Sequence, residues 1–349
     1  MAKPPAAFAD RLLAWARCHG RSDLPWHPRA GQQADPYKVW LSEIMLQQTQ
    51  LANATAYFQR FLRRFPSLEH LAQAPVDEVL ALWSGLGYYA RARNLHACAQ
   101  QLWAQGGFPR TAQDWARLPG VGPSTAAAIA SVVYGERAAI LDGNVRRVLA
   151  RHGCRPEPWN SPALAKALWP VAQQLLPKAS ADMPAYTQAI MDLGALVCRP
   201  RHPDCPACPV QADCQAHLTQ TVDQHPRPAI RRARPVRAAR WDLVLHEQAL
   251  ALVQQPPTGL WGGLWTLPAR PLTPQEFHQR QAEFDDQLTH DFTHYRLLIG
   301  LRRRRIATEQ ARPRTVQGQQ VTWWSLRQAL ELGLPAPVRR VLAQTPLDE

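Results

Sequence analysis

The sequence predicts a multidomain protein with an all-α N-terminal region and a smaller α+β C-terminal domain. Three observations carry this expectation. The chain has 349 residues, more than one hydrophobic core usually serves. Residues 1 to about 215 are rich in Ala, Leu and Gln and broken by short Pro or Gly signals, which reads as helix after helix. Beyond residue 240 the apolar positions recur with a period of two, the pattern of strands.

Along the N-terminal region the expected helix stops are Pro66, Pro75, Gly106-Gly107, Pro119-Gly120, Gly135, Gly153 and Pro177. Residues 225–240, HPRPAIRRARPVRAAR, hold six arginines and no acid, with proline interleaved. Proline blocks helix and like charges repel, so this stretch is expected to be an extended basic linker. After it, LVLHEQALALVQQ, GLWGGLWTLP and FTHYRLLIGLRRRRI read as strands, Pro274 to Leu288 as a helix and Leu326 to Leu332 as another. No internal repeat suggests a solenoid.

Hydrophobic residues make up 46%, enough for a sizeable core. Lys and Arg total 40 against 27 acids, a formal charge of +13. That surplus favours a polyanionic partner, nucleic acid before a membrane surface. Asp10 and Arg11 interrupt any apolar run near the N-terminus, so no secretion signal is expected. The longest uncharged stretch, Leu118 to Gly135, opens on Pro and Gly, which argues against a membrane span. A cytoplasmic, nucleoid-associated protein is the expectation.

Of seven cysteines, four crowd together at Cys198, Cys205, Cys208 and Cys214, separated by six, two and five residues. Four thiolates in so short a span can enclose one compact centre, and the spacing leaves both an iron–sulfur cluster and zinc open. Arg199, Arg201 and His202 would give the same loop a positive surface. Cys18, Cys98 and Cys154 read as small core residues.

Leu118-Pro-Gly-Val-Gly-Pro-Ser-Thr-Ala126 precedes an Ala-rich run. Gly120 and Gly122 would let backbone N–H groups approach an anion, and a helix starting near Ser124 adds its positive end. This is the pattern of a helix–hairpin–helix, which grips the DNA backbone without reading bases.

Two carboxylates stand out. Glu43 lies in YKVWLSEIMLQQTQ, where Asp35-Pro36 should start the helix as cap and first residue. Trp40, Ile44 and Gln47 share its face, so its carboxyl should lose hydration, its pKa should rise, and it can serve as a general acid. Asp142, in AILDGN, sits just ahead of a helix from Val145 to His152, where an anion is favoured. One carboxyl pushed towards neutral and one held ionised is the division of labour that cleaves glycosidic bonds.

The strings PYKVWLSEIMLQQTQ, GLGYYARARNLH, LPGVGPSTA, LDGNVRRVLAR, the four-cysteine loop and GLWGGLW together resemble the MutY branch of the endonuclease III-like DNA glycosylases. The resemblance implies an all-α helix–hairpin–helix glycosylase fold with an iron–sulfur loop, plus a C-terminal α+β Nudix-like domain. Within residues 1–215 it implies a six-helix domain over 31–135 and a second helical domain built from 1–30 and 136–215, with the active site in the cleft between them. The linker would run over 216–240 and the Nudix-like, lesion-recognising domain over 241–349. The cysteines would hold a [4Fe–4S] cluster.

The resemblance also implies roles. Glu43 would protonate the adenine leaving group, Asp142 would stabilise the sugar cation, and Asn144 would help orient it. Leu24, Trp26 and Gln188 would line the pocket for the flipped adenine, because a stacked base does not expose its glycosidic bond. Gln48 and Tyr88 would fill or wedge the duplex beside the opposite base. Ser124 stands where strand-cutting relatives carry a lysine, so base removal without efficient β-elimination is expected. Phe292-Thr293-His294 matches the family's 8-oxoguanine-sensing loop, with Thr for the usual Ser. No Glu-Glu dipeptide occurs in the chain, so pyrophosphate hydrolysis by the Nudix-like domain is not expected.

The expected activity is excision of adenine mispaired with 8-oxoguanine or guanine, by a monomer acting on double-stranded DNA, with repair partners using the linker. Two other readings compete: a non-catalytic iron–sulfur DNA-binding protein that recruits repair factors, and a Nudix-type hydrolase with a DNA-binding extension. The acid pair argues against the first, and the missing metal box against the second.

Overall fold

The computed structural model describes residues 7–28, 32–230, 233–306 and 313–345. Residues up to 69 and from 97 to 230 form one compact unit, and residues 70–96 group with the C-terminal part, from 233 onward, in a second. Arg231 and Arg232 of the expected linker, and Gly31 at one expected domain edge, lie outside the described residues.

The chain begins with α1 (Phe8–His19), α2 (Pro36–Leu46), α3 (Leu51–Arg64), α4 (Leu68–Gln73), α5 (Val76–Trp83) and α6 (Ala90–Ala104). Next come α7 (Ala112–Trp115), α8 (Pro123–Tyr134), α9 (Gly143–His152), α10 (Pro162–Gln174), α11 (Met183–Asp192) and α12 (Gln215–Leu218). The expected punctuation falls between these helices: Pro66 between α3 and α4, Pro75 just before α5, Gly106-Gly107 after α6 and Gly135 at the end of α8. No described helix is long and apolar enough to cross a membrane.

Local chemistry starts the helices that matter. Asp35 caps α2, its side chain accepting from the Tyr37 and Lys38 N–H groups, with Pro36 at the first helical position. Asp142 caps α9 by accepting from the Val145 N–H at 2.7 Å. The core joins α1, α8, α9, α10 and α11 through Phe8, Leu12, Ala127, Val145, Leu149, Leu164, Leu168, Tyr186 and Ile190. α8 is the axis of the first unit, packing against α2, α7 and α11. Beyond α11 the helix widens into a single π turn, Leu193–Val197, which delivers Cys198.

In the second unit, β1 (Val236–His246), β2 (Ala249–Gln254), β3 (Trp265–Thr266), β4 (Ala269–Leu272), β5 (Asp286–Asp291), β6 (Arg296–Arg305) and β9 (Thr322–Ser325) form one sheet. Its order is β3-β2-β1-β6-β5, with β4 paired to β1 and β9 to β2. β1 and β6 run parallel and the other pairs antiparallel. A separate hairpin is made by β7 (Thr315–Val316) and β8 (Gln319–Gln320). Helices α13 (Pro274–Gln279), α14 (Leu326–Glu331) and α15 (Ala336–Ala343) complete the domain, and Trp241, Leu243, Leu252, Ile299, Leu334 and Val338 fill its core.

Four expectations need correction. The helix from Pro274 stops at Gln279, and 286–291 is strand β5, because Asp285 and Asp286 turn towards the Arg303 backbone and side chain while Gly300 on β6 leaves room for the Phe284 ring. GLWGGLW is largely a turn rather than a strand, with Gly259 and Gly263 at positive φ, and only Trp265–Thr266 pairs with β2. The stretch expected as an extended linker is docked at both ends. The Trp159 N–H donates to the Arg227 carbonyl at 3.0 Å, Asn160 bonds both backbone groups of Ile230, and β1 already begins at Val236. Of the scattered cysteines only Cys98 is a core residue; Cys18 is exposed and Cys154 half-buried.

Candidate active site

Glu43 sits in the last two turns of α2, half-buried itself, flanked in sequence by fully covered Ser42 and Ile44 and one turn from fully covered Trp40. Burial, and then the charge of nearby Asp142, push its carboxyl up to about 8. At neutral pH it therefore holds its proton. The two residues lie 99 positions apart in the chain, and the fold brings their charges within mutual reach.

Asp142 is held from its own helix. Burial raises its pKa above the usual carboxylate value, and the Val145 and Asn144 N–H groups, the Arg147 charge and the Asn144 side chain pull it back down. Its anion is thus partly compensated by α9, which moderates the simple picture of a fully favoured helix-terminal anion. Asn144 is oriented in turn: its Oδ1 accepts from Arg147 Nη2 at 2.8 Å. Arg147 also donates from Nη2 to the Gly194 carbonyl at 2.7 Å and from Nε to the Cys198 carbonyl at 2.7 Å. Gly194 is required here, since a Cβ on it would stand 2.6 Å from Asn144 Cβ.

Ser124 occupies the first turn of α8, and its hydroxyl accepts from the Leu141 N–H at 2.9 Å, one residue before Asp142. The hairpin ahead of it turns at Gly120, with φ +76°, and ends at Gly122, the cap residue of α8; both are exposed. Gln47, one helical turn after Glu43, donates to Thr125 Oγ1 at 3.2 Å, which couples α2 to this hairpin.

Among the expected adenine-pocket residues, Trp26 is buried and meets Phe58 edge-on, with ring centroids 5.3 Å apart. Leu24 is half-buried, and its carbonyl accepts from the His27 N–H at 2.9 Å. Gln188 is committed to a network: its Nε2 donates to Asp192 at 2.7 Å and its Oε1 meets His27 Nε2 at 3.1 Å. Fully buried Asp192 is neutralised by Arg21 at 2.6 Å. Sequence reasoning did not single out His27, Arg21, Asp192 or Arg147. For Arg147 a signal existed: with Arg151 it lies one turn apart on the helix that Asp142 caps.

Gln48 and Tyr88 share an unusual backbone state. Each is an exposed non-glycine residue in the left-handed region, with φ +56° and +49°, a conformation that tends to persist where function requires it. In the second unit the Tyr88 hydroxyl lies 3.4 Å from Thr293 Oγ1. Phe292 stacks on Tyr295 at 4.6 Å and packs against His290 and Trp261, leaving Thr293 and His294 exposed.

Cys198, Cys205, Cys208 and Cys214 line one hollow together with Val148, Leu193, Val197 and Val210. Burial pushes the Cys208 thiol up to about 12, with the other three cysteines adding to the shift. Among the described residues no group of three or more His, Cys, Asp or Glu side chains converges tightly enough for a single metal ion. Arg151, 3% exposed, donates to Cys198 Sγ at 3.4 Å and to the carbonyls of Arg199, Pro200 and His225. Arg199, Arg201 and His202 are exposed on the same loop. In β6, Arg302 and Arg303 face Glu283 and Asp286.

Residues 41–173 match the family model of the HhH-GPD superfamily base excision DNA repair proteins, and 241–344 match a NUDIX domain. An adenine DNA glycosylase of Buchnera aphidicola (Baizongia pistaciae) is 30% identical over 97% of this chain and 96% of its own length. The chain belongs to the adenine DNA glycosylase family. A Mus musculus adenine DNA glycosylase is 38% identical over 79% of this chain, which spans 63% of that relative's length. Among solved structures, a thermostable thymine-DNA glycosylase is similar at 28% identity, with a TM-score of 0.53 over 61% of this chain and 95% of the other. The second and shorter domain of this family member is thus a Nudix-like sheet on a helical glycosylase chain.

Proposed function

We propose that this protein removes adenine mispaired with 8-oxoguanine or guanine by hydrolysing the N-glycosidic bond of the flipped-out nucleotide. One observation carries the reading: Glu43, which burial and the charge of Asp142 push towards its protonated form, lies within electrostatic reach of Asp142. Glu43 delivers its proton to the adenine base as the C–N bond breaks, and Asp142 stabilises the positive sugar that remains. Asn144 orients Asp142 while Arg147 orients Asn144. Leu24, Trp26 and Gln188 receive the extruded base, and Gln48 and Tyr88 occupy the duplex beside its partner. Phe292, Thr293 and His294 inspect the lesion.

Base removal without efficient strand cleavage follows from Ser124, which has a hydroxyl engaged with Leu141 and no amine for a Schiff base. Gly120 and Gly122 hold the DNA backbone. Gly122 has φ −79°, open to any residue, and beyond its chain neighbours nothing lies within 4 Å of where a Cβ would stand, which leaves room there for a phosphate.

The donor set of four thiols around a shared hollow, approached by buried Arg151, fits a [4Fe–4S] cluster. Bound there, the cluster supplies a cross-link that ties down the 198–214 loop. Arg199, Arg201 and His202 then face the DNA phosphates. The substrate is double-stranded DNA, and the setting consistent with the reading is cytoplasmic and nucleoid-associated.

The test is excision on duplexes carrying A opposite 8-oxoguanine, G, C and T. Release of adenine opposite the first two, lost in Glu43→Gln while DNA binding persists, is expected; normal turnover by that variant overturns the assignment.

A further inference from the structure

Tyr88 sits between two anchors, both in the second unit. Four residues before it, Ser84 Oγ accepts from Arg339 Nε at 3.2 Å and Nη2 at 3.1 Å, and donates to the Leu334 carbonyl at 3.0 Å. Five residues after it, Arg93 Nη1 donates to the Gly262 carbonyl at 2.7 Å. Beside these, the Tyr89 hydroxyl donates to the Leu334 carbonyl at 2.7 Å and accepts from the Gly85 N–H at 3.3 Å. Arg339 completes its clamp on the Leu330 and Leu332 carbonyls at 2.9 and 3.2 Å, at the end of α14.

Tyr88 itself is 51% exposed, so packing does little to hold its φ of +49°. The left-handed conformation is unfavourable for a residue that carries a β-carbon, so the surrounding chain must impose it. The Arg339 fork is suited to this, because its planar donors reach one hydroxyl and two carbonyls in a fixed geometry. Thr293, the hydroxyl that Tyr88 meets, is fixed from the other side: the Phe292 N–H donates to the Tyr295 carbonyl at 2.9 Å and the two rings stack.

We propose that Arg339 and Arg93 are positioning residues that hold Tyr88 against Thr293, and that this clamp sets the preference for 8-oxoguanine over guanine opposite the excised adenine. The inference rests on the functional reading above. Neither arginine belongs to the acid pair or its support, so adenine excision itself does not depend on them.

The experiment compares single-turnover excision of adenine opposite 8-oxoguanine and opposite guanine, in the full chain with its cluster. Arg339→Met is expected to lower the ratio of the two rates by tenfold or more while the rate opposite guanine stays within twofold. Arg339→Lys, which keeps a charge but not the three-acceptor fork, is expected to recover part of the ratio. Ser84→Ala cuts the same link from its other end while Arg339 keeps its Leu330 and Leu332 carbonyls, and is expected to reproduce the drop even if Arg339→Met fails to fold. Arg93→Met is expected to act in the same direction. A ratio unchanged in folded Arg339→Met and in Ser84→Ala overturns this inference alone. Equal loss on both substrates overturns it too, as the mark of a merely structural brace. A wild-type protein that excises adenine opposite both bases without preferring 8-oxoguanine overturns this inference alone, whereas one that excises adenine opposite neither overturns the functional reading and this inference with it.

Discussion

Arg147 reaches the carbonyl of Cys198 at 2.7 Å, so the helix that Asp142 caps and the loop that begins the cysteine cluster share one guanidinium. The same side chain holds Asn144 Oδ1 and the Gly194 carbonyl. Replacing it with methionine strands three acceptors, of which the Gly194 carbonyl is buried and the other two half-buried, a loss on the order of 3 kcal/mol. Arg147→Met is expected to lower adenine excision and retained iron together, measured by single-turnover assay and by iron content per chain. Loss of one with the other intact would show that the two sites are not coupled through this residue.

The elevated pKa of Glu43, about 8, sets the direction of the pH response. The general acid works protonated, so excision is expected to fall about tenfold per pH unit above 8. On the acid side Asp142 must be ionised, and since burial raises its pKa the rate should begin to fall above the usual carboxylate range. Stability follows by linkage. The folded state binds this proton more tightly than the unfolded state, so the wild type loses stability as pH rises from about 4.5 towards 8. Glu43→Gln removes that penalty. It is expected to reduce excision roughly 10²–10⁴-fold and to raise the melting temperature at pH 8, with the gain vanishing near pH 4. A stabilisation independent of pH would contradict the titration of Glu43.

What the sequence made readable was local. Asp35-Pro36 starts α2, the helical period then places Glu43 among Trp40 and Ile44, and Asp142 with Gly153 brackets α9 within a dozen residues. Signals of this kind need only neighbours along the chain. What stayed hidden depends on partners far away. The Arg147 to Cys198 bond spans 51 positions and the Arg339 to Ser84 bond 255. Strand β5 takes over the last three residues of an expected helix because β6 offers it a ladder, which propensity over 280–288 cannot reveal. The docking of 227–230 onto 158–160 runs against the composition of that stretch for the same reason.

The Ser124 hydroxyl has a task that its position in the hairpin motif did not suggest: it holds the Leu141 N–H, the residue before Asp142. Ser124→Ala is expected to cost about 1 kcal/mol of stability and to slow excision severalfold, by loosening the approach to α9. Borohydride treatment during wild-type turnover is expected to trap little covalent enzyme–DNA complex. Trapping in high yield would overturn the monofunctional reading, whatever the behaviour of the variant.

Gly122 separates DNA binding from folding. Its φ of −79° and ψ of 167° suit any residue, and no protein atom would touch a new Cβ. Gly122→Leu is therefore expected to change stability by less than about 1 kcal/mol, the scale of replacing an N-cap glycine. Outside the fold, the added side chain blocks the exposed start of α8, where backbone N–H groups and the helix end would meet a phosphate. DNA affinity should fall for matched and mismatched duplexes alike, because gripping the backbone carries no sequence information. The slope of log affinity against log salt should also shrink by about one for each phosphate that the variant no longer neutralises. Fluorescence anisotropy on one duplex at several salt concentrations reads both effects. An unchanged slope together with unchanged affinity would remove the hairpin from the DNA interface.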